Sequence, residues 1–281
     1  MYQLRNPAPA LAPYIESYWF VAPDPDPVDL RVDVFVDGRA DLILNYGVPY
    51  SRRIIGGEAS EHAQSTLDAQ RLVPIRIEQR GRVHIVGVRF RLGGLGPFAR
   101  SDLRPHTGKT PPPKVVLGEG VAVLELAVAG LEPDAAVPLL DHFFSEKLRL
   151  DAGRAGFERA LESLESSGGL AEVQTVAARA GASVRQVDRW FARHIGIPPK
   201  MVGRILRFQG ALKMLMRDPG CTLAEVAAAA RYFDQAHFVR DFRQMTGGVP
   251  RGYRGYFPPA GPSDFAPNVV VFVQEEPEAP R

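Results

Sequence analysis

Cysteine is almost absent from this 281-residue chain, Cys221 being the only one. A single thiol excludes a disulfide framework and any cysteine-based zinc cluster. Long apolar runs are absent too, and none approaches the roughly 20 residues that a membrane-spanning helix requires. Met1 to Ala10 is polar and proline-rich, without the apolar core of a secretory signal, so a cytoplasmic protein is expected. Metal-ligand spacing is missing: the six histidines, at 62, 84, 106, 142, 194 and 237, are scattered. No nucleophile elbow, phosphate-binding loop or dinucleotide fingerprint stands in a fitting context. Gly93-Gly94-Leu95-Gly96-Pro97 is glycine-rich, but Pro97 and the lack of a lysine make it a turn. Neither enzymatic activity nor a metal nor a cofactor is expected.

Net charge is also scarce, at +2, but it is unevenly placed. Leu170 to Gly255 holds 14 Lys and Arg against 6 Asp and Glu, a net of +8, which leaves the remainder at −6. The basic piece is suited to meeting phosphates. Within it lie two helix-turn-helix patterns, Val173 to Gly196 and Thr222 to Gly247, whose second helices start about 51 residues apart. In each, a short alanine-rich helix precedes a turn and a helix with an apolar stripe. The stripes are Val187, Trp190 and Phe191 in the first and Phe238 and Phe242 in the second. A recognition helix needs that division, because one face is buried while the other enters the major groove. Pro198 to Gly220 joins the two as a helix with Val202, Ile205, Leu206, Ala211, Leu212 and Leu215 on one stripe.

This stretch, Leu170 to Arg254, resembles the DNA-binding domain of the AraC/XylS family of bacterial transcription regulators. Ser183, Val187, Arg189 and Phe191 match the family's Ser-x3-Leu-x-Arg-x-Phe, with Val for Leu. His194 to Pro199 matches the stretch before the linker, and Phe233-Asp234, Phe238, Arg240, Phe242, Thr246-Gly247, Pro250, Tyr253 and Arg254 match the second half. One departure is clear: the second turn carries Arg231 where Gly181 stands in the first. A non-glycine residue in a left-handed turn costs about 1–2 kcal/mol, which points to a looser or more tilted second motif. Some proteins with such motifs are alkylation-repair methyltransferases, but Cys221 alone does not supply the cysteine cluster they need. The expected partner is double-stranded DNA at two adjacent major grooves. Candidate contacts are Ser183, Arg185, Gln186, Arg189 and Arg193 from the first unit and Gln235, His237, Arg240 and Arg243 from the second. Arg suits guanine and Gln suits adenine, while each of these side chains has solvent or phosphate as its bland alternative.

The N-terminal portion reads as β-rich. Leu30 to Gly47 alternates in places and is broken at Asp37-Gly38, a favoured hairpin turn. Arg52 to Ile55, Leu72 to Glu78 and Arg82 to Leu92 are further strands, and the set suggests a small sandwich or barrel. The overall class is therefore α+β: a small β-barrel or sandwich, cupin-like, with helices, then an all-α part of two helix-turn-helix units joined by a linker helix. The words VFVDGRADLILNYG and VGVRFRLGGLGPF resemble an uncharacterised sensor-like domain found ahead of such motifs. On the strand from Val83 to Leu92, His84, Val86, Val88, Phe90 and Leu92 share one face. Arg89 and Arg91 share the other, with solvent as the default and an anionic effector as the functional reading. Asp41 and Asn45, on one face of the second strand of the Leu30 to Gly47 hairpin, are equally ambiguous.

Leu117 to Leu131, Ala135 to Leu150 and a segment through Phe157, Leu161 and Leu164 read as helices ending at the hinge Ser166 to Gly169. The expected organisation is 1–115 sensor, 116–167 helical connector, 168–256 DNA-binding domain and 257–281 tail with a strand at 269–273. That strand either edges the N-terminal sheet or pairs with another subunit, with a disordered tail as the bland alternative. Two functions follow. In one, a small-molecule effector in the N-terminal barrel modulates sequence-specific DNA binding. In the other, the N-terminal domain is an assembly or protein-interaction module without a ligand. A homodimer through the connector, whose apolar faces could equally pack onto the barrel of the same chain, and contact with RNA polymerase in an activator, are implied partners.

Overall fold

The computed structural model describes residues 2–21, 28–57, 60–218, 220–253 and 271–272. Expected features at Pro219, Arg254, 257–259, 267–270 and 273–276 lie outside the described residues. Among the described residues, ten strands form two five-stranded antiparallel sheets. The first has β1 (Tyr2–Arg5), β2 (Ile15–Val21), β9 (Ile85–Phe90), β4 (Asp41–Asn45) and β7 (Thr66–Asp68) in that order. The second runs β10 (Val271–Phe272), β3 (Val28–Val34), β8 (Ile75–Gly81), β5 (Tyr50–Ile54) and β6 (Ser60–Ala63). The tail thus returns as an edge strand, Val271 opposite Asp33 and Phe272 opposite Val32.

Alternation along the first sheet separates two interiors. Val86, Val88, Phe90, Leu42, Leu44 and Leu67 face α1 (Pro113–Leu117), α2 (Gly120–Val128) and α3 (Pro133–Lys147), and pack on Val121, Leu124, Leu140 and Phe144. Tyr18 donates from its hydroxyl to Asp141 Oδ1 at 2.8 Å, and Tyr46 to Glu125 O at 2.6 Å, tying the helices to the sheet. The opposite face turns toward the second sheet, where Ile43, Ile85 and Val83 meet Tyr50. Layers run helices, sheet, sheet.

The hairpin expected at Asp37-Gly38 does not form. Gly38 is left-handed (φ 72°), as the dipeptide suggests, but β3 pairs with β8 while β4 pairs with β9 and β7. The turn is a corner between sheets. Its cause is tertiary: Phe35 and Val36 leave the strand to be buried among the C-terminal helices, so the chain passes from one sheet to the other instead of folding back.

Those helices are α4 (Arg154–Ser166), α5 (Val173–Ala180), α6 (Val184–His194), α7 (Pro199–Arg217), α8 (Leu223–Ala229) and α9 (Gln235–Thr246). They share one core containing Phe157, Leu164, Val187, Phe191, Ile205, Phe208, Leu212, Phe238 and Phe242. Residues 116–167, read from sequence as one connector, therefore divide: α1–α3 belong to the core on the sheet, α4 to the core with α5–α9. Burial of Phe157 against Phe191 and His194 puts α4 there.

Candidate functional site

The two helix-turn-helix units are built alike from the backbone up. Gly181 closes the first turn at φ 67°, its N–H donating to Ala178 O at 3.1 Å and that of Ala182 to Ala177 O at 2.9 Å. Arg231 takes the same place at φ 52°, the one positive-φ non-glycine residue among the described residues. Its N–H donates to Ala228 O at 3.0 Å and that of Tyr232 to Ala227 O at 2.8 Å. The left-handed turn expected at Arg231 is present, and its hydrogen bonding repeats that of the first motif. Side chains hold it there. The Tyr232 hydroxyl donates to Asp241 Oδ2 at 2.6 Å, Arg204 Nε donates to Asp241 Oδ1 at 2.5 Å, and the Arg207 guanidinium lies 4.4 Å over the Tyr232 ring. Arg231→Gly removes the left-handed strain of about 1–2 kcal/mol against about 0.5–1 kcal/mol of added chain freedom. A small rise in thermal midpoint with an unchanged DNA footprint is the expected outcome, read by melting and by footprinting.

Both second helices are capped by side chains at their N-termini. Ser183 Oγ accepts from Gln186 N at 3.2 Å, and Asp234 Oδ1 from His237 N at 2.6 Å. Val187, Trp190 and Phe191 are buried on α6, and Phe238 and Phe242 on α9. The opposite faces present Arg185 and Arg189 on α6 and Gln235, Arg240 and Arg243 on α9, all exposed, with Gln186 partly exposed. Among the described residues none of the four arginines has an ion pair. His237 is partly covered, its ring edge-on to Tyr232 at 5.2 Å. Nineteen residues of α7, about 28 Å at 1.5 Å per residue, join the units.

Arg193 does not share that surface. Its Nη1 donates to Ser101 O at 2.6 Å and its Nη2 to Ala99 O at 3.3 Å, with Asp102 and Asp151 nearby. The last turn of α6 is pressed onto the 94–103 segment, so Arg193, expected at the DNA, is engaged by backbone carbonyls of that segment. Gly96 permits the approach: a Cβ there would lie 2.7 Å from His194 Nδ1 and 2.9 Å from His194 Cα. Burial holds the His194 imidazole down to about 4, with Asp151 a partial offset. A base depressed in the folded state binds its proton preferentially in the unfolded chain. Stability is therefore expected to fall as pH drops from about 6.5 toward 4, and His194→Gln to flatten that slope, read as unfolding free energy against pH.

Three of the four N-terminal candidates, Arg89, Asp41 and Asn45, are buried. Arg89 (9% exposed) and Asp41 (7%) are register partners inside the barrel, and Asp41 is in turn opposite Asp68. Arg89 binds Asp41 Oδ2 at 3.2 Å and also Asp37, while Arg71 binds Asp68 Oδ2 at 2.7 Å and Arg52 lies 3.5 Å from Asp68 Oδ1. Three guanidinium groups thus meet three carboxylates in one buried cluster. Burial raises the Asp37 carboxyl, but Arg89, Arg71 and Arg39 outweigh it and leave it below the ordinary range. For Asp41 burial prevails over Arg89, helped by the Asp37 charge, and the carboxyl is raised. Among the described residues, Arg71 Nε and Nη1 have no hydrogen-bond partner, nor does Gln70 Oε1. Arg91 points outward and donates to Ala12 O at 2.6 Å. Asn45 is structural: it donates to Val48 O at 2.8 Å and accepts from Gly47 N at 3.1 Å. Solvent as the default for Arg89 fails because the inner face of β9 is closed over by the second sheet. Sequence reasoning missed Arg52, Arg71, Asp37 and Asp68: Asp37 and Arg71 lie outside the strands and Arg52 comes from the facing sheet, so only tertiary packing brings them together.

No group of three potential metal-ligating side chains occurs among the described residues, nor does a helix long and apolar enough to cross a membrane. Residues 176–256 match the family model of a helix-turn-helix domain, and residues 3–112 that of a domain of unknown function (DUF6597). None of the curated proteins matches the chain. Among solved structures, ToxT from Vibrio cholerae is similar at 10% identity and a TM-score of 0.46, over 81% of this chain and 96% of that one. A transcriptional regulator from Chromobacterium violaceum with an AraC-type DNA-binding domain is 23% identical, with a TM-score of 0.35 over 37% of this chain and 94% of that one. A probable AraC family regulator from Rhodopseudomonas palustris is 25% identical, at 0.32, over 35% and 93%.

Proposed function

We propose that this chain, a DNA-binding transcription regulator with an AraC-type helix-turn-helix domain over residues 176–256, reads two successive major grooves with α6 and α9. The observation that carries this reading is the pair of exposed, unpaired faces, Arg185 with Arg189 and Arg240 with Arg243, on helices fixed to one core by α7. Arg185, Gln186, Arg189, Gln235, His237 and Arg240 read base edges. Ser183 and Arg243 meet the backbone and set the register. Arg193 pins α6 to the N-terminal portion instead. We divide the chain after α3, with β1–β10 and α1–α3 regulatory and α4–α9 DNA-binding.

A small-molecule effector acting inside the barrel is the regulatory reading. A buried ion cluster is a poor way to stabilise a core, since apolar packing of the same volume does as well or better. Its position beside Phe35 and Val36 gives it a route to DNA binding. Val36 N donates to Met245 O at 3.0 Å, and Gln209 Nε2 donates to Val36 O at 3.0 Å. Phe35 meets the Tyr253 ring edge-on at 5.3 Å. Asp37, the next residue, is in the cluster. The filling of the barrel by Arg52, Arg71, Arg89, Tyr50 and Gln79 favours the second reading, an assembly module without a ligand. Val123 (69% exposed) and Leu126 (80%) on α2 offer such a module a homodimer contact. The protein acts in the cytoplasm, without a cofactor or enzymatic step, and an activating role requires contact with RNA polymerase.

Selection of genomic fragments by the full chain at two salt concentrations tests the reading. Two conserved blocks about one helical turn apart are expected. Recovery that is sequence-blind at both concentrations, with and without a metabolite extract, overturns it.

A further inference from the structure

The two helix-turn-helix units repeat with an offset that changes at one point. Gly181 and Arg231 correspond at a spacing of 50, as do their carbonyl partners Ala178 and Ala228. The capping residues Ser183 and Asp234, and the buried Phe191 and Phe242, correspond at 51. The additional residue is Phe233. It is 93% exposed, more than any other large apolar residue described.

Both neighbours hold it outward. Tyr232 is buried, its hydroxyl on Asp241 and its ring against Phe238. Asp234 is committed as the cap of α9, accepting from His237 N. With the residues on either side fixed, the Phe233 ring stands in solvent beside the N-terminal end of α9. That is the end of a recognition helix which meets base edges. Exposure of a whole aromatic ring contributes nothing to folding, and a ring at that place has one apolar feature of the major groove to bury against, the thymine C5-methyl group.

We propose that Phe233 is a specificity-determining residue that packs on a thymine methyl in the half-site read by α9. This rests on the two-groove reading above. It adds an apolar contact to the polar ones on α9 and makes the second half-site the one that demands a thymine.

The probe is a duplex site selected from a random library by the full chain, with deoxyuridine replacing thymine one position at a time. That exchange removes the methyl and leaves the pairing edge intact. We expect a loss of about three- to tenfold at one position in the second half-site. Phe233→Ala is expected to bind the unmodified site weaker by a similar factor and to show no further loss with deoxyuridine there. Phe233→Leu is expected to recover part of the affinity. Because the side chain is free in solvent, the thermal midpoint stays unchanged. Equal weakening of Phe233→Ala on all duplexes means a sugar or phosphate contact and overturns the proposal. Unchanged DNA affinity with lost transcription in vitro means contact with polymerase and overturns it too. Failure to select any site sinks the two-groove reading itself, which is a different outcome.

Discussion

Alanine at Arg189 and Arg240 together is expected to weaken site-specific binding by roughly 30-fold to 10⁴-fold. Each bidentate base contact is worth about 1–3 kcal/mol of discrimination, and distant positions add. At about 1.4 kcal/mol per tenfold, two contacts give that range. The two side chains stand on different helices and are exposed without ion pairs, so the double variant should melt with the parent protein. Affinity for random duplex should fall far less, because the remaining basic residues still neutralise phosphates. Titration of specific and random duplexes at one salt concentration separates these terms. Equal losses on both would mean that α6 and α9 meet only the backbone.

Asp37→Ala is expected to be the most damaging single change in the barrel, costing about 3–5 kcal/mol, the usual result of removing one partner from a buried ion pair. Asp37 is 3% exposed, accepts from Arg39 N at 3.0 Å and pairs with Arg89. Its loss leaves Arg89 to Asp41, whose carboxyl burial already drives toward the neutral form, and to the longer contact with Glu16 at 3.8 Å. The parent carries an acid-sensitive contribution: a carboxyl held below its unfolded value stabilises above that value and ceases to do so as pH falls through the folded one. Removing Asp37 should weaken that dependence, as read by urea unfolding from pH 7 to 3. Position in the chain adds a second readout. Phe35 and Val36 are embedded in the core of α7 and α9, so the variant should also bind its DNA site differently, whereas a change confined to barrel stability would leave DNA affinity of the folded fraction intact.

The sequence by itself determined the helix-turn-helix pair. Apolar residues three and four apart, the capping Ser183 and Asp234, and the left-handed turn positions 181 and 231 are all local signals, because a helix satisfies its hydrogen bonds within a few residues. The turn at Arg231 was legible as strained; that the strain leaves its geometry intact was not, since Arg204, Arg207 and Asp241 come from elsewhere in the chain. Strands β1, β2, β6 and β7 were not legible, whereas β3, β4, β5, β8 and β9 were at least in part, with alternation separating Val86, Val88 and Phe90 from Ile85 and Arg89. Their partners were not, because a strand's hydrogen bonds go to whichever segment the tertiary fold brings alongside. Only the tertiary structure decided that Asp37-Gly38 turns a corner between sheets, that Arg89 lies inside with Asp41 and Asp37, and that Arg193 donates to Ala99 and Ser101. In each case the deciding energy is burial against residues distant in sequence, which no local pattern records.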